Sequence, residues 1–255
     1  MMKYYLNIIL LITLFFVTQD AFAVQRFQNE RLRYVIFYKW GLIHKDAGEA
    51  TLSLKTQGNN YNIQLTAKTK PWADRIYQVR DTLKGVLRAS DLKPLSYKKI
   101  THEKGEYKLD EISYSFSGNT TTAKAKRYRY KKGKPTVTEN SFSANGPVYD
   151  MLSVFYYIRQ LDFANFSNNK TYTATVFSGR KKETIKIRCL GKEKIKLKDK
   201  TEREAYHIKF SFTQNGGKKS SDDMETWIST DARHIPLYLV GKLPVGEVRA
   251  YFLGG

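Results

Sequence analysis

The residues of this chain whose types and spacing could do chemistry are mostly cations. The stretch KEKIKLKDK, residues 192–200, sets Lys192, Lys194, Lys196, Lys198 and Lys200 at every second position, with Ile195 and Leu197 between them. A second basic stretch, AKAKRYRYKKGK at residues 123–134, interleaves Arg127 and Arg129 with Tyr128 and Tyr130. Regular cations can hold a polyanion, and tyrosine or arginine planes can stack on sugars or bases. The simpler reading is that lysines blunt sheet edges and keep a chain soluble. A third group is acidic: Asp222, Asp223, Glu225 and Asp231. In a strand, Asp223, Glu225 and Trp227 share a face, as in a sugar-binding surface, although a charged turn entering a strand explains them more simply.

The four histidines, His44, His102, His207 and His234, are scattered, and none has the spacing that builds a metal site on one element. No metal or cofactor is expected. The chain has no G-x-S-x-G elbow, no phosphate-cradling glycine loop and no dinucleotide fingerprint. A hydrolytic carboxylate pair leaves no local signature, so a glycan-acting hydrolase stays open as an alternative. The single cysteine, Cys189, forms no intramolecular disulfide and reads as a small core residue.

Strands must position these residues. Short alternating segments at residues 33–38, 50–55 and 61–66 open the series, with a hairpin signal at Gly58-Asn59-Asn60. Further strands are expected at 76–80, 95–101, 110–116, 121–130, 171–177, 184–189, 192–198, 206–213, 225–229, 235–240 and 247–252. The lysine ladder and the preceding alternation of Lys182, Lys186 and Arg188 with Ile185 and Ile187 are expected to form one hairpin, joined near Leu190-Gly191. Its cations would face outward and its aliphatics inward. One segment breaks the period. At residues 148–163, Met151, Val154, Phe155, Ile158 and Leu161 recur at helical spacing, with Gly146-Pro147 as a start and Asp150 near the positive end of the helix dipole. The expected fold is therefore all-β and mostly antiparallel, a curved sheet or open barrel with one central amphipathic helix against its concave face.

The ends and the charge place the chain. Lys3, an apolar run near residues 6–17 and Ala21-Phe22-Ala23 read as a secretory signal over residues 1–23, leaving 24–255 as a single β-rich domain. Lys3 and Asp20 cancel, so the net charge of +20 belongs to the mature part. An exported chain makes nucleic acid an unsuitable polyanion. The expected partner is an anionic envelope component, a lipid headgroup or an acidic glycan, with peripheral membrane contact and an open oligomeric state. Periplasmic residence is expected first, and secretion second.

The stretches LRYVIFYKWGLIHKDAGEATL, YDMLSVFYYIRQLDF, METWISTDARHIPLYL and LPVGEVRAYF, in this order, resemble the bacterial envelope family DUF3108. The resemblance implies an exported β-rich protein without an assigned activity, and it supplies no catalytic residues. The resulting expectation is a non-enzymatic envelope protein that binds an amphiphile or an anionic glycan. A glycan hydrolase and an outer-membrane barrel are the alternatives. The candidate binding residues are Lys194, Lys196, Lys198, Arg127, Arg129, Tyr128, Tyr130 and Trp227.

Overall fold

The computed structural model describes residues 27–103, 106–165, 171–214, 223–243 and 245–255. The expected signal at 1–23 and Asp222 lie outside them. The first half is a meander of β1 (Glu30–Trp40), β2 (Ile43–Gln57), β3 (Asn60–Thr69), β4 (Arg80–Arg88), β5 (Pro94–Glu103), β6 (Glu106–Ser117), β7 (Thr120–Lys131) and β8 (Lys134–Asn145). The second half holds β9 (Val148–Tyr149), β10 (Thr171–Phe177), β11 (Lys182–Lys196), β12 (Glu202–Gln214), β13 (Met224–Ser229), β14 (Pro236–Lys242) and β15 (Glu247–Gly254). β15 pairs with β1, so one sheet of 15 strands runs from β8 through β1 and β15 to β9. All neighbours are antiparallel except β9 and β10. Two short helices interrupt the strands, α1 (Pro71–Tyr77) and α2 (Ser153–Arg159).

Alternation explains the strands. Leu52 and Leu54 are buried while Ser53 and Lys55 turn away, and Tyr61 and Ile63 lie opposite Thr56 and Leu54 in the next strand. At the β7–β8 turn, Lys132 (φ 49°) and Gly133 (φ 76°) both adopt positive φ, the geometry that suits the right-handed twist of a two-residue hairpin. The apolar face is continuous through the sheet. Tyr34 lies opposite Phe252, Leu239 opposite Ala250, Thr226 opposite Leu239 and Ile208 opposite Thr226.

The α2 segment fills the space this face encloses. Leu152 and Tyr156 belong to the cluster of Leu32, Leu54, Tyr61 and Tyr97 from the first half. Val154 and Ile158 belong to the cluster of Ile185, Ile187, Ile208 and Ile228 from the second. One short helix thus touches both halves, and the sheet wraps it as a nearly closed barrel. Apolar residues face inward and lysines such as Lys55, Lys84 and Lys126 face outward, the reverse of a transmembrane barrel.

The structure corrects several expectations. The expected strand at 76–80 is not formed: α1, opened by Pro71, runs to Tyr77, β4 begins only at Arg80, and the Trp72 indole donates to the Asp46 carbonyl at 2.8 Å. The central helix is seven residues long rather than spanning 148–163, because Val148 and Tyr149 pair with β10 first. It is buried nearly all round: Phe155, expected on the apolar face, is only half-buried, while Tyr156, off that face, is wholly buried. The ladder and its preceding arm do not form a hairpin with each other. They are one strand, β11, with a bulge at Leu190, and the hairpin is β11–β12. β4 and β8 are not among the expected strands: the expected 76–80 meets β4 only at Arg80, and the side chains of β8 are mostly polar and exposed.

Candidate anionic-ligand groove

The outer face of the first half carries a groove of about 1190 Å³. Cross-strand register builds it. Ser53, Gln64, Lys84, Lys98, Glu111, Lys126 and Glu139 lie successively opposite one another from β2 to β8. A second row, Asn62, Val86, Ser96, Ser113, Lys124 and Ser141, runs beside it two residues along each strand. Neighbouring strands are about 4.8 Å apart, so the rows present one side chain per step across the sheet, polar at every step but Val86.

The charge balance is positive. Arg31, Lys55, Lys84, Lys98, Lys124 and Lys126 line the groove against Glu30, Glu111 and Glu139. Of the acids, Glu30 is turned into the core and grips Arg159 at 2.6 Å, and Glu111 meets Lys98 at 2.8 Å. Lys55, Lys84, Lys124 and Lys126 have no carboxylate within 4 Å among the described residues. Lys84 stands directly opposite Lys98, a like-charge pairing that an isolated sheet disfavours. The remaining lining is hydroxyl and amide, from Ser53, Asn62, Gln64, Ser96, Ser113 and Ser141. The groove can accept hydrogen bonds, donate them, and neutralise negative charge along its length.

The residues singled out in the sequence fall in two places. Lys124 and Lys126 of the second basic stretch line the groove. Tyr128 and Tyr130 continue its row along β7, where Tyr128 meets Tyr107 edge-on at 5.9 Å and Tyr130 is exposed. Arg127 and Arg129 have the opposite parity. Both bind Asp110 Oδ1, at 3.0 and 2.6 Å, and Arg129 also donates to the carbonyls of Leu109 and Tyr128. They are structural braces between β6 and β7 rather than free binding groups. Lys84 and Lys98 carry no signal in the sequence: β4 is not among the expected strands, and only the register across β4 to β7 brings them into line with Lys126.

The lysine ladder lies in the other half. Leu190 is the extra residue of a bulge, with Cys189 opposite Ile208 and Gly191 opposite His207. A bulge reverses which parity faces inward. Lys192 therefore stands opposite Tyr206, an inward-facing residue, and its ammonium lies over that ring at 5.2 Å. Lys194, Lys196 and Lys198 are exposed because β11 and β12 run past the ends of β10 and β13 as a two-stranded ribbon. Ile195 and Leu197 are half-buried on the other side. Lys198 reaches over Phe37 at 4.0 Å. Cys189 is half-buried, and burial raises its thiol pKa, as suits an unreactive residue.

Trp227 belongs to a row of rings on the outer face. It stacks on His207 at 4.3 Å and meets Tyr238 at 4.8 Å, and Tyr238 stacks on Tyr251 at 4.7 Å. Its indole N–H donates to Glu193, which also approaches His207 Nδ1 at 3.3 Å, while His207 Nε2 meets Glu225 at 2.8 Å. Both ring faces and the N–H are thus engaged, and Trp227 does not offer a bare sugar platform. Asp223 pairs with Lys209 at 3.0 Å.

A family model described as a protein of unknown function, DUF3108, matches residues 33–253, nearly the whole chain. No curated protein matches. Among solved structures, the chain resembles the crystal structure of a β-barrel-like protein of domain of unknown function DUF1849 from Brucella abortus. The two share 11% identity over 91% of this chain and 98% of that one, with a TM-score of 0.64. That likeness is one of fold.

Proposed function

The chain belongs to the DUF3108 family, a family of unknown function, and from its geometry we propose a non-enzymatic protein of the bacterial envelope that holds an anionic glycan along the outer groove. The observation that carries this reading is the pair of polar rows crossing β2 to β8, with Lys84, Lys98, Lys124 and Lys126 among hydroxyls and amides. A strand step of about 4.8 Å is close to the length of one pyranose unit. A sugar chain running across the strands would meet roughly one side chain per sugar. The envelope setting rests on the signal-like N-terminus and the net charge of +20. An acyl chain inside the barrel is the weaker form of the binding idea, because Tyr156, Leu152 and their neighbours occupy that space.

Calorimetry with a galacturonic-acid decamer, and a neutral maltodextrin of the same length as control, tests the proposal. The acidic oligomer is expected to bind and the neutral one not to. Affinity should fall steeply between low and physiological salt, as screened charges require. Lys84→Ser with Lys126→Ser should weaken binding at least tenfold without altering the melting temperature. Equal binding by this double variant would overturn the groove assignment. Shortening of the oligomer during incubation would favour the hydrolase alternative instead.

A further inference from the structure

Large exposed apolar side chains are rare in this chain, and most gather at one end of the barrel. At the β1–β2 turn, Trp40 is 55% exposed, Ile43 39%, and Leu42 fully so. At the β14–β15 turn, Leu243 and Val245 are 43% and 52% exposed. The two turns are neighbours. Lys39 and Lys242 both lie opposite Glu247, Tyr38 Oη donates to the Val245 carbonyl at 3.0 Å, and a Cβ on Gly246 would sit 3.1 Å from that of Trp40. α1 hangs beside them, tied to Asp46 of β2 by Trp72 and Lys70, and exposes Ile76 and Tyr77.

Turn positions ordinarily carry polar or small residues, because the chain there meets water. Gly41, with φ of 54°, makes the tight turn, and Leu42 occupies the tip beside it. Nothing in the fold gains from leucine at that point. The shoulder behind the tips is cationic. Asp46 is engaged by Lys70, Asp74 by Arg80, and Glu247 by Lys39 and Arg249. Lys45, Arg75 and Lys242 remain as surplus positive charge around the apolar tips. Exposed tryptophan and tyrosine, here Trp40 and Tyr77, suit the interfacial zone of a bilayer, and basic residues suit its headgroups.

We propose that this end of the barrel docks on an anionic bilayer surface, with Leu42, Trp40 and Val245 entering the interface and Lys45, Arg75 and Lys242 meeting the headgroups. A second copy of the chain is the poorer occupant, because a symmetric contact would bring two cationic shoulders together. The proposal is independent of the glycan groove, which lies on the barrel side.

A local probe tests it on the full chain. With Cys189→Ser as background, Leu42→Cys and, separately, Leu253→Cys carry an environment-sensitive dye. Leu253 is exposed at the opposite end of β15 and serves as control. On adding phosphatidylcholine vesicles with a third phosphatidylglycerol, the dye at position 42 is expected to shift to the blue and be quenched by brominated acyl chains, while the dye at 253 is not. Lys45→Gln with Arg75→Gln and Lys242→Gln should weaken partitioning at least tenfold, and Lys84→Ser with Lys126→Ser should leave it unchanged. No shift at position 42 would overturn the proposal. So would a shift that appears without vesicles as protein concentration rises, which would mean that a second copy covers this end.

Discussion

Two buried charged residues set the terms on which the α2 plug is held. Arg159 is 2% exposed and meets Glu30 through both guanidinium nitrogens, at 2.6 and 2.9 Å, while donating to the carbonyls of His234 and Arg233. Removing one member of such a pair strands the other in the core, at a cost of about 3–5 kcal/mol, whereas replacing both by apolar residues can be neutral. Glu30→Ala is therefore expected to lose that much in urea unfolding, and Glu30→Leu with Arg159→Met to recover most of it. A loss under about 1 kcal/mol in the single variant would mean that Arg159 reaches solvent. Asp150 is wholly buried. Its Oδ1 accepts from the N–H groups of Leu152 and Ser153, and Ser153 Oγ accepts from the Asp150 N–H. Burial outweighs these bonds and raises its pKa from 3.8 to about 6. The folded state then keeps a proton between those values that the unfolded chain gives up. Its contribution is full below about pH 4 and is lost as pH rises through 6, an effect of about 3 kcal/mol at most. Asp150→Asn keeps the Oδ1 acceptor, so the stability difference between wild type and variant should change over this window. Parallel pH profiles for the two proteins would show that Asp150 titrates as in the open chain.

At the scale of elements, α2 matters more as a plug than as an amphipathic helix. Tyr156 is wholly buried against Phe27 and the first-half cluster, and Phe155 is only half-buried. Tyr156→Ala should cost about 3–5 kcal/mol, as large buried truncations do, and Phe155→Ala clearly less. Thermal midpoints in the reverse order would place the helix the other way round. The presence of this helix was legible because a 3.6-residue period interrupts a period of two. Its true face was not, because a seven-residue helix enclosed by a barrel buries residues on every side and leaves no polar stripe to define direction. Strands such as β2 were legible because one face is wet, as at Leu52 and Leu54, although the same alternation in β4 was not read. β8 was not, since Thr136, Thr138 and Ser143 carry no apolar alternation to read. The same limit hid half of the groove. Lys124 and Lys126 are adjacent in a basic run and could be seen, but Lys84 and Lys98 join them only through the β4–β5–β6–β7 register. The bulge at Leu190 is likewise a one-residue event that composition does not announce, yet it decides which way the lysine ladder faces.

At the scale of the whole molecule, the sheet has a seam. β8 and β9 end the strand order, and among the described residues no strand ladder joins them. What holds β8 to the other side is a sparse set of contacts. Asn140 Nδ2 donates to the Gly179 carbonyl at 3.2 Å, the rings of Phe142 and Phe177 meet at 5.8 Å, and the Lys182 ammonium lies over Phe142 at 4.9 Å. β1, by contrast, sits mid-sheet between β2 and β15 and buries Leu32 completely. Local opening follows buried apolar contact and shared hydrogen bonds, so the barrel should open from its seam. Hydrogen exchange read by mass spectrometry is expected to give β8 the least protection among the long strands and β1 and β2 the most. Because Glu139 and Ser141 of β8 also line the far side of the outer groove, an acidic oligomer held there as proposed should slow exchange in β8 more than in β1. Uniform protection across the sheet would indicate a barrel closed by contacts stronger than these three. Protection of β8 without change on adding the oligomer would place the bound sugar elsewhere.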